Sequence, residues 1–256
     1  MNKFSQSASP TAGVDICIDQ LDRRQPLSID NPDASTYLDI AQKFCPYIRP
    51  AIEAQIFFQS QYSLATLRAL SLDGRAGEGL LYVGIIHTEW LRLRRARCDP
   101  KMQQLICDTI LITDDDQLKW EQLASVVMWP HWILKYLYST VGVMFANFWR
   151  GYASSAADGR EIPPPPRSFV AIRSAVPLRD SRFLTTDATI AAFIRDSRDT
   201  GQNIHLPIAP VEVTGTLSAA VLRELRYFDK ARLWSRDLLP EAVRRQLAER
   251  RNSAFP

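Results

Sequence analysis

Histidine and glycine are scarce here, with three histidines and ten glycines in 256 residues. The glycines build no Gly-x-x-x-x-Gly-Lys phosphate loop, no Gly-x-Gly-x-x-Gly dinucleotide turn and no Gly-x-Ser-x-Gly elbow. That sets the chain apart from the familiar nucleotide-dependent enzymes and from elbow-type nucleophiles. No His-x-x-x-His or Glu-x-x-His pair offers a non-haem iron or zinc site. Cys17, Cys45, Cys98 and Cys107 are scattered, without the paired spacing of structural zinc. No uninterrupted apolar run approaches the roughly 18 residues of a membrane span. The longest candidate, Val126 to Phe148, contains Pro130, His131, Lys135 and Asn147. Residues 1–13 hold no apolar stretch of the secretory kind, so the expectation is a soluble cytoplasmic protein with free thiols and no membrane partner.

What is present is an ordinary globular composition, 46% hydrophobic and 23% charged. The formal charge is +3 and is uneven: Leu217 to Pro256 carries nine basic against five acidic residues, which leaves the rest nearly neutral. A basic tail on a neutral body is not the footprint of a dedicated nucleic-acid binder. Pro32 to Arg49 and Ala51 to Leu70 show helical spacing, Leu80 to Ile86 reads as a short buried strand, and Leu105 to Thr113 is the clearest strand. Arg92, Arg94, Arg95 and Arg97 read as an edge strand or exposed helix face with solvated charges, or as an anion-binding strip. Asp114, Asp115 and Asp116 suit a helix N-terminus. Pro130 either starts a second helix or kinks one long helix from Leu118. Four prolines, 163–166, lead stiffly into a second strand, Ser168 to Arg173. Thr186 to Arg195 reads as a helix capped by Thr186 or Asp187, and 217–251 as two basic amphipathic helices. The fold class expected is α+β: one domain with a mixed or antiparallel sheet flanked by helices. An N-terminal arm would occupy 1–30, the core 31–210, and a basic helical extension 211–256.

The stretch from Trp120 to Leu184 concentrates unusual chemistry. If Pro130 opens a helix, His131 falls in its first turn, where the dipole disfavours imidazolium and leaves a neutral ring able to ligate a metal. Trp132 and Lys135 are helical neighbours offering an aromatic wall and a cation. Against this stands the ordinary role of a lone histidine in an aromatic helix, a hydrogen-bonded core residue. Arg173, Arg179 and Arg182 can pair bidentately with carboxylates such as haem propionates, or else with Asp180, Asp187 and Asp196. His87 and His205 read as structural or solvent-exposed.

The order of these motifs, Phe44-Cys45-Pro46-Tyr47, the strand from Thr109 into Asp116, Trp129 to Lys135, then Arg173-Ser174-Ala175-Val176 and Arg179 to Phe183, resembles the YqcI/YcgG family of bacterial proteins. Some members are haem-dependent enzymes that N-oxygenate an amine or guanidine of an amino-acid-derived substrate in natural-product pathways. The resemblance implies His131 as proximal haem ligand and Arg173, Arg179 and Arg182 as the basic segment near cofactor or substrate. Val176-Pro177-Leu178 stands where the family often has a further histidine. A reading from another class is a non-catalytic binding or assembly protein. It would use the basic C-terminal helices, through which a homodimer would form, and an aromatic surface around Trp149 and Tyr152.

Overall fold

Leu80 to Ile86, expected as a strand, lies inside a 22-residue helix in the computed structural model. The structure describes residues 15–27, 41–151, 153–155, 159–184, 187–213 and 215–238. In chain order the elements are α1 (Ile18–Leu21), α2 (Ile48–Glu53), β1 (Phe57–Tyr62), α3 (Leu64–Leu70), α4 (Ala76–Arg97), β2 (Cys107–Ile112), α5 (Trp120–Ser139) and β3 (Val143–Phe148). They continue with the two-residue strands β4 (Ser154–Ser155) and β5 (Glu161–Ile162), then β6 (Phe169–Ser174), α6 (Pro177–Phe183), α7 (Ala188–Arg195), α8 (Ala219–Glu224) and α9 (Tyr227–Ser235). Half of the expected helix over Pro32 to Arg49 falls outside the described residues, and the described half, 41–49, is broken by turns before α2 begins at Ile48.

The burial of α4 accounts for the difference. It is buried from Glu78 to Arg92 on every side, so its sequence carries no 3.6-residue polar stripe to betray a helix. Its glycines admit close neighbours: a Cβ on Gly79 would meet the Leu67 carbonyl oxygen of α3 at 1.9 Å. Gly77 faces the Val126 carbonyl of α5, the acceptor that Pro130, lacking an N–H, leaves without its helical donor. Pro130 therefore lies inside one continuous helix. The arginines at the end of α4 form neither an edge strand nor an anion strip. Arg92 forks onto Glu89 and Asp199, Arg95 donates to the Val141 and Gly142 carbonyls, and Arg94 covers Phe58 and Trp90.

The main sheet is mixed, in the order β1-β2-β6-β3, with β1 parallel to β2 and the other pairs antiparallel. This is the expected α+β arrangement. The second helical patch, Ala51 to Leu70, is broken by β1, which begins just after Gln55 takes a left-handed conformation at φ 55°. One face of the sheet, carrying Phe58, Ile110, Val143, Phe145, Val170 and Ile172, belongs to the main core with α4 and α5. Asp114, expected to cap the helix that follows it, instead accepts from the Leu64 N–H at the start of α3 at 2.7 Å.

Packing runs across two of the expected boundaries. Residues 15–27 are no loose arm: Ile16, Ile18, Leu21 and Leu27 are core residues, and Cys17 bridges Ser218. Over its described part, 217–238, the C-terminal stretch buries Leu217, Leu222, Tyr227 and Ala231 in the same core against the protein's own helices, while the rest of the two helices expected over 217–251 lies outside the described residues. Of that stretch Leu233 and Leu238 remain exposed among the described residues. Trp149 is buried, and Tyr152 lies outside the described residues. Among the described residues no helix is long and apolar enough to cross a membrane.

Asp187, one of two expected caps, closes α7. Its Oδ1 accepts from the Thr189 and Ile190 N–H groups at 3.0 and 3.1 Å, and its Oδ2 accepts from the Tyr136 hydroxyl at 2.6 Å. Asp187→Ala should lower unfolding free energy by about 1–2 kcal/mol, read from a urea titration. No change would mean that neither the cap nor the phenol bond contributes.

Candidate functional site

Pleating places alternate side chains on opposite faces, and the register brings three rows of them together on the sheet face away from α4 and α5. Phe57, Cys107, Arg173 and Met144 form one end row, and Gln61, Leu111, Phe169 and Phe148 the other. Between them lie Gln59, Thr109, Ala171 and Ala146. Three of those four are small, so the middle of the face is hollow between bulkier ends. Ala41, Phe44, Cys45 and Ile48 roof it from one side, and Ile162, Pro165, Pro166 and Arg167 from the other. The cavity has a volume of about 420 Å³, within the range of small-molecule sites. The proline run supplies a stiff wall and adds no N–H donor to an apolar lining.

Polarity within the cavity is sparse and placed. Gln59, Gln61 and Thr109 offer hydrogen bonds from the floor, and Phe148 and Phe169 stack at one end with centroids 4.6 Å apart. At the other end Arg173 forks onto Asp180 at 2.8 and 2.9 Å, and the Tyr47 ring lies 5.4 Å from its guanidinium. Exposed Arg167 stands at the rim. Burial pushes the Cys107 thiol up, with the charges of Cys45 and Asp108 adding to the shift and Arg173 opposing it.

The expected site residues do not gather here. Of His131, Trp132, Lys135, Arg173 and Arg179, whose side chains are described, only Arg173 lines this cavity. His131 lies in the middle of α5, not in a first turn, so the helix dipole does not set its charge. Burial and the neighbouring Lys135 charge hold its pKa well below the ordinary value, with the Phe145 main chain weakly opposing. Both ring nitrogens are buried and make no well-formed hydrogen bond, the Phe145 main chain being the polar group that acts on the ring. Lys135 lies 5.1 Å from the Trp132 ring, its pKa lowered by burial to about 8. Arg179 donates to the Tyr47 hydroxyl at 3.1 Å, and the side chain of Arg182 lies outside the described residues.

A haem held by His131 needs that ring to face a porphyrin-sized space with basic groups at its margin. His131, Trp132 and Lys135 line neither this cavity nor a second, more open cleft of about 760 Å³. Arg173 is committed to Asp180 instead. Among the described residues, neither space gives His131 the room and basic margin that such a cofactor needs.

Two buried polar clusters lie outside the candidates that the sequence singles out. His87 Nδ1 lies 2.8 Å from Asp108 Oδ2, its Nε2 lies 2.8 Å from the Tyr62 hydroxyl, and Arg24 forks onto both Asp108 oxygens. The Arg24 and His87 partners hold Asp108 down to about 2 despite its burial. Across α4, His205 Nε2 lies 3.0 Å from Glu89 and Nδ1 lies 2.7 Å from the Tyr227 hydroxyl, while Arg92 ties Glu89 to Asp199. The available signal was Asp108 itself, a lone acid in the middle of an apolar strand, which requires a buried partner. Glu89 and Arg92 border the open cleft, but their charges already face each other and Asp199, so they bind the 197–203 loop to α4. Among the described residues no three His, Cys, Asp or Glu side chains form a metal-binding group.

No family model, curated protein or solved structure matches this chain.

Proposed function

We propose that the protein binds a small, mainly apolar molecule in the sheet-face cavity, with an aromatic or alkyl body and a carboxylate or similar anionic head. One observation carries the reading: the middle row of the register, Thr109, Ala171 and Ala146, leaves a hollow that all four strands line and two separate segments roof. A fold that only needed a covered sheet would fill such a row, because empty apolar space forfeits dispersion contacts and costs stability. The stacked Phe148 and Phe169 suit a flat body, Gln59 and Thr109 suit a polar substituent, and Arg167 at the rim suits the anion.

Anilinonaphthalene sulfonate, a flat apolar anion, serves as probe. Wild type should bind it saturably, and Ala171→Phe, which fills the middle row, should weaken binding by at least about tenfold with an unchanged thermal transition. Equal binding in both proteins would place the dye elsewhere and remove the reading. In parallel, protein from haem-supplemented cells should show no Soret band. A band lost on His131→Ala would replace this proposal with the nitrogen-oxygenating haem enzyme.

A further inference from the structure

Two thiols line the same cavity, one on its floor and one on its roof. Cys107 is in the floor, paired in register with Arg173, and is buried at 8% exposure. Cys45 hangs from the roof, half-buried, two residues before the Tyr47 ring that covers the same Arg173 guanidinium. Both thiols line the cavity, and both act electrostatically on Arg173. Cys17 and Cys98 line neither cavity. The roof segment around Cys45 is also lightly anchored: Ala41, Phe44, Cys45 and Ile48 are partly exposed, while the floor beneath belongs to a four-stranded ladder.

We propose that Cys45 and Cys107 are an oxidisable pair whose disulfide, formed by a hydroperoxide, ties the roof to the floor and closes the cavity. The inference rests on the ligand reading, since it regulates access to that same site. Cys45, the more accessible sulfur, attacks the terminal oxygen of hydrogen peroxide as thiolate. The O–O bond breaks, the leaving hydroxide takes a proton to become water, and Cys45 becomes a sulfenic acid. The Cys107 sulfur then attacks the Cys45 sulfur, the S–O bond breaks, and the released hydroxide takes the Cys107 proton as a second water. Two thiols and one peroxide give one disulfide and two waters, so the two electrons lost by sulfur reduce the peroxide. The bond would join segments more than fifty positions apart, which favours its persistence once formed. Ligand held beneath the roof would leave slowly, and ligand outside would be refused.

The full chain, reduced and then treated with one equivalent of hydrogen peroxide, tests this by peptide mapping after alkylation of the remaining thiols. The expected product is a Cys45–Cys107 cross-linked peptide, reversed by dithiothreitol and absent from both Cys45→Ser and Cys107→Ser. Release of bound anilinonaphthalene sulfonate should slow by about tenfold on oxidation of wild type and stay unchanged in either variant. A cross-link to Cys17 or Cys98, or oxidation that stops at sulfinic acid or at Met144 sulfoxide, would overturn the pairing. A correct cross-link in a protein that binds no dye in either state would leave the thiol pair standing and sink the ligand reading. Dye binding by the reduced protein without a cross-link would do the reverse.

Discussion

Asp108→Ala should cost about 3–5 kcal/mol of stability, a large share of what holds a domain of this size together. The carboxylate is fully buried in the middle of β2 and is the shared acceptor of the Arg24 fork and His87 Nδ1, and it also accepts its neighbour's N–H from Thr109. Removing it leaves a guanidinium at 13% exposure and a fully buried imidazole without their anion. The Arg24 cation would also lose its hold on the 15–27 segment, whose other ties include Trp90 donating to Asp22 at 2.6 Å. Asp108→Asn keeps the shape and loses the charge, so it should be intermediate. The pH signature has a definite sign. Asp108 titrates near 2 in the folded protein against an ordinary 3.8, so the unfolded chain takes up a proton first on acidification. Its contribution is whole above about pH 4 and disappears as pH falls toward 2. Guanidinium unfolding midpoints of the three proteins at pH 7 and at pH 3 would measure it. An Asp108→Ala protein within about 1 kcal/mol of wild type at pH 7 would show that the buried pair contributes little beyond an apolar isostere.

How much of the fold is legible in the sequence depends on whether an element has a wet side. β2 and β6 are legible because their β-branched runs are short and bounded, and α7 because its stripe and its Asp187 cap are both local. α4 reads as a strand because a helix surrounded on all sides has the same unbroken apolar run as a buried strand. β1 is lost inside the second helical patch, Ala51 to Leu70, since Gln59, Ser60 and Gln61 give it little strand character; its pairing with β2 decides. The cavity cannot be seen at all. Thr109, Ala146 and Ala171 are ordinary singly, and only the register sets them side by side. His131 stands out in the sequence for its aromatic surroundings, but those rings pack α5 against its neighbours rather than wall a cofactor space. The amphipathic C-terminal helices do need an apolar partner, as their pattern implies. For α8 and α9, the described part of that stretch, it is the protein's own α4 and α5.

The same His131 yields the second large effect, because a buried polar ring without a well-formed hydrogen bond should be a liability. His131→Leu should raise stability at pH 7 by about 1–3 kcal/mol, since it replaces two buried ring nitrogens that lack a well-formed hydrogen bond by an apolar side chain of similar size. The gain should grow on acidification. The folded-state pKa of His131 is depressed by burial and by the Lys135 charge, so below the ordinary value of 6.5 the unfolded chain binds a proton that the native protein refuses. Stability is therefore full above pH 6.5 and falls below it by about 1.4 kcal/mol per pH unit for each imidazole that stays neutral. His87 is depressed as well, by burial and the Arg24 charge against the pull of Asp108, and it keeps its share of the slope in the variant. Lys135, lowered to about 8, titrates above this window and does not enter it. Urea titrations at pH 7, 6 and 5 should accordingly give a shallower acid limb for His131→Leu than for wild type, with dye binding intact because the ring lines neither cavity. A variant less stable than wild type, with an unchanged acid limb, would mean that the ring has a partner in solution. The imidazole would then be a used group, and the case for chemistry at α5 would reopen.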